Sequence, residues 1–269
     1  MTSSGRSPGA ASPNRVGALL GDPRTARGIL ATGLLLYAAG FLAFSPRVVS
    51  VRDEVAYIRQ AAAFAAGEAT VVEKEALSGQ TRRVPASTYP PGTSALQAPF
   101  VSLGGWRWAA LASLLCLAVT VLLLAGWLRR EGRSPLFALL VLGYPPALAL
   151  SRLAMSDLPS AAVVTLGLSL FWRGQDGPGA WWLASGFTAG LSLLFRETNA
   201  LLFAPLFTGA LLRRERKALA LMAGVAAAVP LRLLSSALLF ASPFFHRPPA
   251  GFRWGPSRRT RHSTCSPCW

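Results

Sequence analysis

The chain has 269 residues, of which 52% are hydrophobic and only 14% charged, with a mean hydropathy of +0.41. Soluble domains carry about a quarter of charged residues, and disordered chains are poor in apolar ones, so both classes are excluded and a membrane protein remains. The net charge of +16 would suggest nucleic acid in a soluble chain, but the basic residues sit mostly between apolar runs and at the two ends, where membrane topology accounts for them.

Residues 1–27 are rich in Ser, Gly, Pro and Arg without a hydrophobic period, and read as a disordered cytoplasmic tail. Uncharged runs then follow at 28–46, 108–128, 134–151, 158–172, 177–195, 198–212 and 218–231. The third is interrupted by Tyr144-Pro145-Pro146, and the last continues through Arg232 to about Phe245. The second is long enough to cross a hydrocarbon core of about 30 Å; several others fall short of the roughly 20 residues a simple span needs. Such short runs are tolerated in a bundle, where protein or a water-filled cavity shields the backbone.

These runs predict an all-α polytopic membrane protein of about seven transmembrane helices over 28–245. Short basic pieces at 129–133, 173–176 and 213–217 fall on one side with the N-terminus, as the positive-inside rule expects for a cytoplasmic face. The segment 45–105 is then one long external loop. It holds Asp53, Glu54, Glu68, Glu73 and Glu75, five of the eleven acidic residues. Within it a helix is expected from Asp53 to Ala66, with Val55, Ile58, Ala62 and Ala65 at helical spacing and Gly67 ending it. Residues 73–85 read as a polar loop, Pro90-Pro91-Gly92 as a breaker, and 93–103 as a short interfacial helix. The tail 246–269 has five arginines, no acid and no apolar period, and reads as disordered text out of the native frame. On that reading the chain leaves its native frame near residue 245.

Charged groups in or beside a membrane bundle are costly to keep, so each is a candidate for function. Asp53 and Glu54 follow the first run, where a carboxylate can take a proton from an acceptor hydroxyl; the plainer reading is a helix N-terminal carboxylate. Asp157, in Ser156-Asp157-Leu158-Pro159, is by itself an ordinary helix cap. Arg196-Glu197 breaks the stretch 177–212, and its arginine suits a phosphate, or else an internal Arg–Glu pair at a turn. His262, Cys265 and Cys268 imitate a zinc spacing, but three ligands in a basic tail make a weak site, and no metal site is expected. P-loop, dinucleotide and HExxH patterns are all missing from the sequence.

Taken in order, Val51-Arg52-Asp53-Glu54-Val55-Ala56-Tyr57, the Ala-rich helix ending at Gly67, Tyr89-Pro90-Pro91-Gly92, Ser156-Asp157-Leu158-Pro159, the Phe195-Arg196-Glu197-Thr198 turn and Phe240-Ala241-Ser242-Pro243-Phe244 resemble the GT-C type multi-span glycosyltransferases. The similarity is to the N-terminal portion of the protein mannosyltransferase and aminoarabinose transferase group (glycosyltransferase family 39-like), over about residues 28–244. The resemblance implies transfer of a sugar from a polyprenyl-phosphate donor to a protein, lipid or glycan acceptor on the external, periplasmic face of a bacterial inner membrane. It implies catalytic roles for Asp53, Glu54 and Asp157, contact of Arg196 with the donor phosphate, and a pocket lined by Tyr57 and Tyr89. Neither a cofactor nor a nucleic-acid partner is expected, and divalent-metal dependence is left open. The alternative is a non-enzymatic polytopic protein such as a transporter or flippase fragment, which shares the Pro-broken apolar runs and internal charges.

Overall fold

The computed structural model describes residues 23–74, 80–213 and 216–240. The expected N-terminal tail lies outside them up to residue 22, as do the expected tail 246–269 with His262, Cys265 and Cys268, and the Phe240–Phe244 motif beyond its first residue. Helix α1 (Pro23–Ala43) comes first, then α2 (Arg52–Ala65), strands β1 (Thr70–Lys74) and β2 (Thr81–Pro85), and α3 (Gly92–Gly104). The short 3₁₀ turn Trp106–Trp108 leads into α4 (Ala110–Arg130). A second 3₁₀ segment, Pro135–Val141, precedes α5 (Pro145–Ser151), α6 (Asp157–Gln175), α7 (Gly179–Ser192), α8 (Asn199–Leu212) and α9 (Ala218–Phe240).

Three of these segments are long and apolar enough to cross a membrane: Arg24–Ala43, Trp106–Arg130 and Ala218–Phe240. The chain is a helical membrane protein. The expected third run does not form one helix, because Pro145 and Pro146 lack the N–H groups that would continue the ladder; they open α5 instead, at positions where no partner is needed. Helices α7 and α8 have 14 residues each, about 21 Å at 1.5 Å per residue, short of the hydrocarbon thickness.

The expectation of an all-α chain is corrected at 70–85, where a polar loop was expected over 73–85. There β1 and β2 pair antiparallel, with Val71 opposite Val84 and Glu73 opposite Arg82. The β-branched Val71, Val72 and Val84 favour that pairing, and Glu73 forms an ion pair with Arg59 of α2. Helix α2 stops at Ala65 before Gly67, whose φ of 75° suits a residue without Cβ. Its buried face is Glu54, Tyr57, Gln60, Ala61 and Ala63, while Val55, Ala62 and Ala65 of the apolar spacing are exposed. At a membrane surface an apolar stripe has lipid as an alternative to protein, so the polar stripe is free to pack inward.

The bundle divides into a half around α4 and a half around α7. Cys116 and Leu117 of α4 pack with Ala147 of α5 and with Leu158 and Ala162 of α6. Val121 and Ala125 pack against Leu30 of α1 and Ala138. In the other half Phe171, Trp182, Ala210, Ala218 and Leu221 join α6, α7, α8 and α9. Helices α7 and α9 run parallel, with Gly186 against Leu221 and Gly190 against Val225 and Ala228. A Cβ on Gly186 would stand 1.9 Å from the Leu221 carbonyl oxygen, and one on Gly224 would stand 2.1 Å from that of Leu183. Between helices in lipid, close backbone approach over small residues supplies the attraction that hydrophobic burial supplies in water.

Gly186→Ala should therefore destabilise the protein by about 1–3 kcal/mol, the range for overpacking. Gly126→Ala on α4, where a Cβ meets nothing within 4 Å, should not. Thermal unfolding in detergent reads the difference; equal melting temperatures for the two variants would contradict this packing.

Candidate functional site

Four separate segments meet at one end of the bundle: the start of α2, the start of α3, the turn before α6, and the α7–α8 turn. Glu54 holds the first to the third. Its Oε2 accepts from the main-chain N–H groups of Ser50 (2.9 Å) and Val51 (3.2 Å), and its Oε1 from that of Ala154 (2.8 Å). A carboxylate in the first helical turn reaches back to otherwise unpartnered donors there, and here it also recruits one from a segment a hundred residues on. Glu54 is 4% exposed.

The second segment is tied on twice. Ser94 Oγ donates to the Tyr57 carbonyl (3.0 Å), joining α3 to α2. The N–H of Gly92 donates to the Leu194 carbonyl at 2.7 Å, joining Tyr89-Pro90-Pro91-Gly92 to the α7–α8 turn. A Cβ at Gly92 would lie 2.7 Å from that same oxygen, so the contact needs glycine. The turn itself is pinned by Asn199, which accepts from Ser160 Oγ (2.8 Å) and donates to the Ser192 carbonyl (3.0 Å).

These ties bring Arg196 onto the N-terminus of α6. Its Nη1 lies 2.9 Å from Asp157 Oδ1, and its Nε donates to Ser156 Oγ at 3.0 Å. Ser156 Oγ also accepts from the Tyr57 hydroxyl at 3.1 Å. The Tyr57 ring stacks on Tyr89 with centroids 4.8 Å apart, and the Asp53 carboxylate lies near enough to the Tyr89 hydroxyl to act on it electrostatically. Asp53, Tyr89, Tyr57, Ser156, Arg196 and Asp157 thus form one connected set. Asp53 is half-buried, Asp157 keeps 24% of its side chain exposed and Arg196 keeps 43%, so charged groups face outward from a buried tyrosine and serine.

Both phenols hold their protons. Burial pushes the Tyr57 hydroxyl above its usual range, against the opposing pull of Ser156 and Arg196. Tyr89 is pushed up to about 12, first by desolvation and then by the neighbouring Asp53 carboxylate. At neutral pH both therefore serve as neutral hydrogen-bond donors. Arg196 offers a fork of which Nη2 makes no hydrogen bond among the described residues, the geometry that suits a second oxyanion beside Asp157. No cluster of three or more His, Cys, Asp or Glu side chains able to hold a metal ion occurs among the described residues.

Of the residues singled out in the sequence, Asp53, Tyr57, Tyr89, Asp157 and Arg196 are brought together. Glu54 lies beside them, with both carboxylate oxygens occupied by main-chain donors. Sequence reasoning missed Ser156 as a site residue, since a serine before a helix reads as a cap. Here its hydroxyl makes no cap hydrogen bond and instead accepts from Tyr57 and Arg196. Arg232 of α9 was also missed; it forms an ion pair with Glu197, bringing the last helix to the same turn.

Ser156→Ala leaves the Tyr57 hydroxyl and the Arg196 Nε without their acceptor, at a buried position. A stability loss of about 1–3 kcal/mol is expected, the cost of an unsatisfied buried donor. Denaturant unfolding of the variant in detergent measures it, and Ser156→Thr, which keeps the oxygen, should recover most of the loss.

Residues 88–240, more than half of the chain, match the dolichyl-phosphate-mannose-protein mannosyltransferase family. No curated protein and no solved structure matches the chain. The matched stretch runs from just before Tyr89 through Asp157 and Arg196 to the end of α9, and so includes three of the four segments that meet at the site; α2, with Asp53, Glu54 and Tyr57, precedes it. The chain belongs to the dolichyl-phosphate-mannose-protein mannosyltransferase family and is a membrane glycosyltransferase of the GT-C type.

Proposed function

We propose that this protein transfers a sugar from a polyprenyl-phosphate donor to the hydroxyl of a protein, lipid or glycan acceptor, on the face of the bacterial inner membrane away from the cytoplasm. The observation that carries this reading is the connected set of Asp53, Tyr89, Tyr57, Ser156, Arg196 and Asp157, which puts a carboxylate and a guanidinium at the two ends of one polar patch. In the reaction the acceptor oxygen attacks the anomeric carbon. The bond from that carbon to the phosphate oxygen breaks, and its electron pair leaves with the polyprenyl phosphate. Asp53 takes the acceptor proton, and Arg196 holds the charge that develops on the leaving phosphate. Asp157 and Ser156 hold the guanidinium in place before the donor arrives. Glu54 keeps the start of α2 docked, because its oxygens are already committed to main-chain N–H groups.

A lipid-linked donor is supported by an apolar groove of about 280 Å³ between α1, α3 and α4. Tyr37 and Leu117 line it, and both pack in the cluster that contains Leu158, the neighbour of Asp157. An isoprenoid chain matches that lining.

Membrane preparations carrying Asp53→Asn should lose sugar transfer from a polyprenyl-phosphate sugar by roughly 10²–10⁴-fold, the usual contribution of a general base. Arg196→Gln should lose transfer as well, and Arg196→Lys should recover only part of it, since a point charge lacks the fork. Full activity in Asp53→Asn, with normal membrane insertion, would remove the proposed base.

Sidedness follows from the basic segments at 129–133 and 213–217, which mark the opposite end as cytoplasmic. In a background with Cys265 and Cys268 replaced by Ser, Gln80→Cys should react with an impermeant thiol reagent added outside the inner membrane, and Arg133→Cys should not. The reverse pattern would invert the topology.

A further inference from the structure

A second cavity lies at the other end of the bundle. Helix α6 carries Asp157 at its first residue and Gln175 at its last, about 27 Å apart at 1.5 Å per residue, close to the thickness of a hydrocarbon core. At the Gln175 end the C-termini of α4, α6 and α8 converge around a cavity of about 510 Å³. Trp127, Trp172, Trp181 and Trp182 cluster at this level, where an aromatic belt marks a membrane–water interface.

The charges around this cavity are balanced but unjoined. Arg130 and Arg213 line it, and so do Glu131 and Asp176. Among the described residues none of the four takes part in an ion pair, although two cations and two anions share one opening. The arginines are not needed to satisfy the carbonyls at the end of α6 either. Lys217 Nζ already donates to the carbonyls of Gly174 (2.9 Å), Gln175 (3.1 Å) and Gly177 (2.8 Å). One wall is apolar, built by Leu206 and Ala210 of α8. The cavity therefore offers guanidinium forks for a phosphate, carboxylates for a cation, and an apolar wall for what joins them to the membrane.

We infer that this cavity binds the headgroup of a zwitterionic phospholipid bearing a primary ammonium, a phosphatidylethanolamine. Arg130 and Arg213 take the phosphate, and Glu131 and Asp176 take the ammonium. An ammonium with three N–H donors satisfies two carboxylates; a quaternary choline has no donor for them. An anionic headgroup such as phosphatidylglycerol would meet the arginines but leave both carboxylates facing its phosphate. The site lies a membrane thickness from Asp53 and Arg196, and does not depend on the reaction proposed for them.

Native mass spectrometry of the full chain, released from detergent in the presence of phosphatidylethanolamine, phosphatidylcholine or phosphatidylglycerol with identical acyl chains, tests this. Phosphatidylethanolamine should be retained about tenfold more than either of the others, a preference of about 1.4 kcal/mol. Arg130→Gln with Arg213→Gln should lose that retention. Asp176→Asn, which removes an anion and keeps the shape, should shift the preference toward phosphatidylglycerol. Equal retention of the three lipids by the unaltered chain, or a preference for phosphatidylglycerol, would overturn the inference without recourse to any variant. So would displacement of the lipid by soluble phosphoethanolamine at equal concentration, which would make the free headgroup the ligand.

Discussion

A single guanidinium at the edge of the membrane organises the site. Arg196 stands on the turn between α7 and α8, yet its partners are Asp157 and Ser156 at the start of α6. A charge in this setting must be paired or hydrated, and an unpaired one costs a few kcal/mol or more. The turn is therefore held against α6 for electrostatic reasons as well as packing ones. Ser156 extends the hold, because the same oxygen that accepts from Arg196 accepts from Tyr57, and Tyr57 carries the stack with Tyr89. In the proposed reaction the donor phosphate meets a cation already oriented by groups that need not reorganise, the arrangement in which electrostatic stabilisation is most effective.

Two main-chain devices make this possible. Glu54 gathers N–H groups from residues 50, 51 and 154, so the loop before α2 cannot drift from the turn before α6. Gly92 lets the main chain of the Tyr-Pro-Pro-Gly bend approach the Leu194 carbonyl at hydrogen-bonding distance. Both use residues that look ordinary in isolation, an acid in a first helical turn and a glycine after two prolines. Their role comes from which distant carbonyl or amide the fold sets opposite them.

The two ends of the bundle answer to different physical demands. At the Asp157 end, charges are paired across segments and backed by buried hydroxyls. At the Gln175 end, arginines and carboxylates ring a cavity without pairing among the described residues, while Lys217 donates to the last carbonyls of α6. Between them, α7 and α9 are held by glycine contacts in which the backbones nearly touch. That contact gives the half-bundle a rigid spine without large apolar side chains at the seam, which lipid would solvate equally well.

Composition and apolar runs alone determined that this is a helical membrane protein, because the shortage of charge and the uncharged stretches have no other stable solution. The order of Asp53, Tyr89, Asp157 and Arg196 along the chain was enough to suggest the family. Other features were not legible. The β1–β2 pairing in a polar stretch depends on Arg59 reaching Glu73 from a neighbouring helix. The inward turn of the polar face of α2 reverses the usual rule, since periodicity marks a stripe without saying whether lipid or protein covers it. Glu54 and Asp53 are adjacent acids that no local pattern separates. Only the tertiary structure gave one of them three main-chain donors and left the other beside Tyr89, because hydrogen-bond partners a hundred residues away are set by packing and not by sequence spacing.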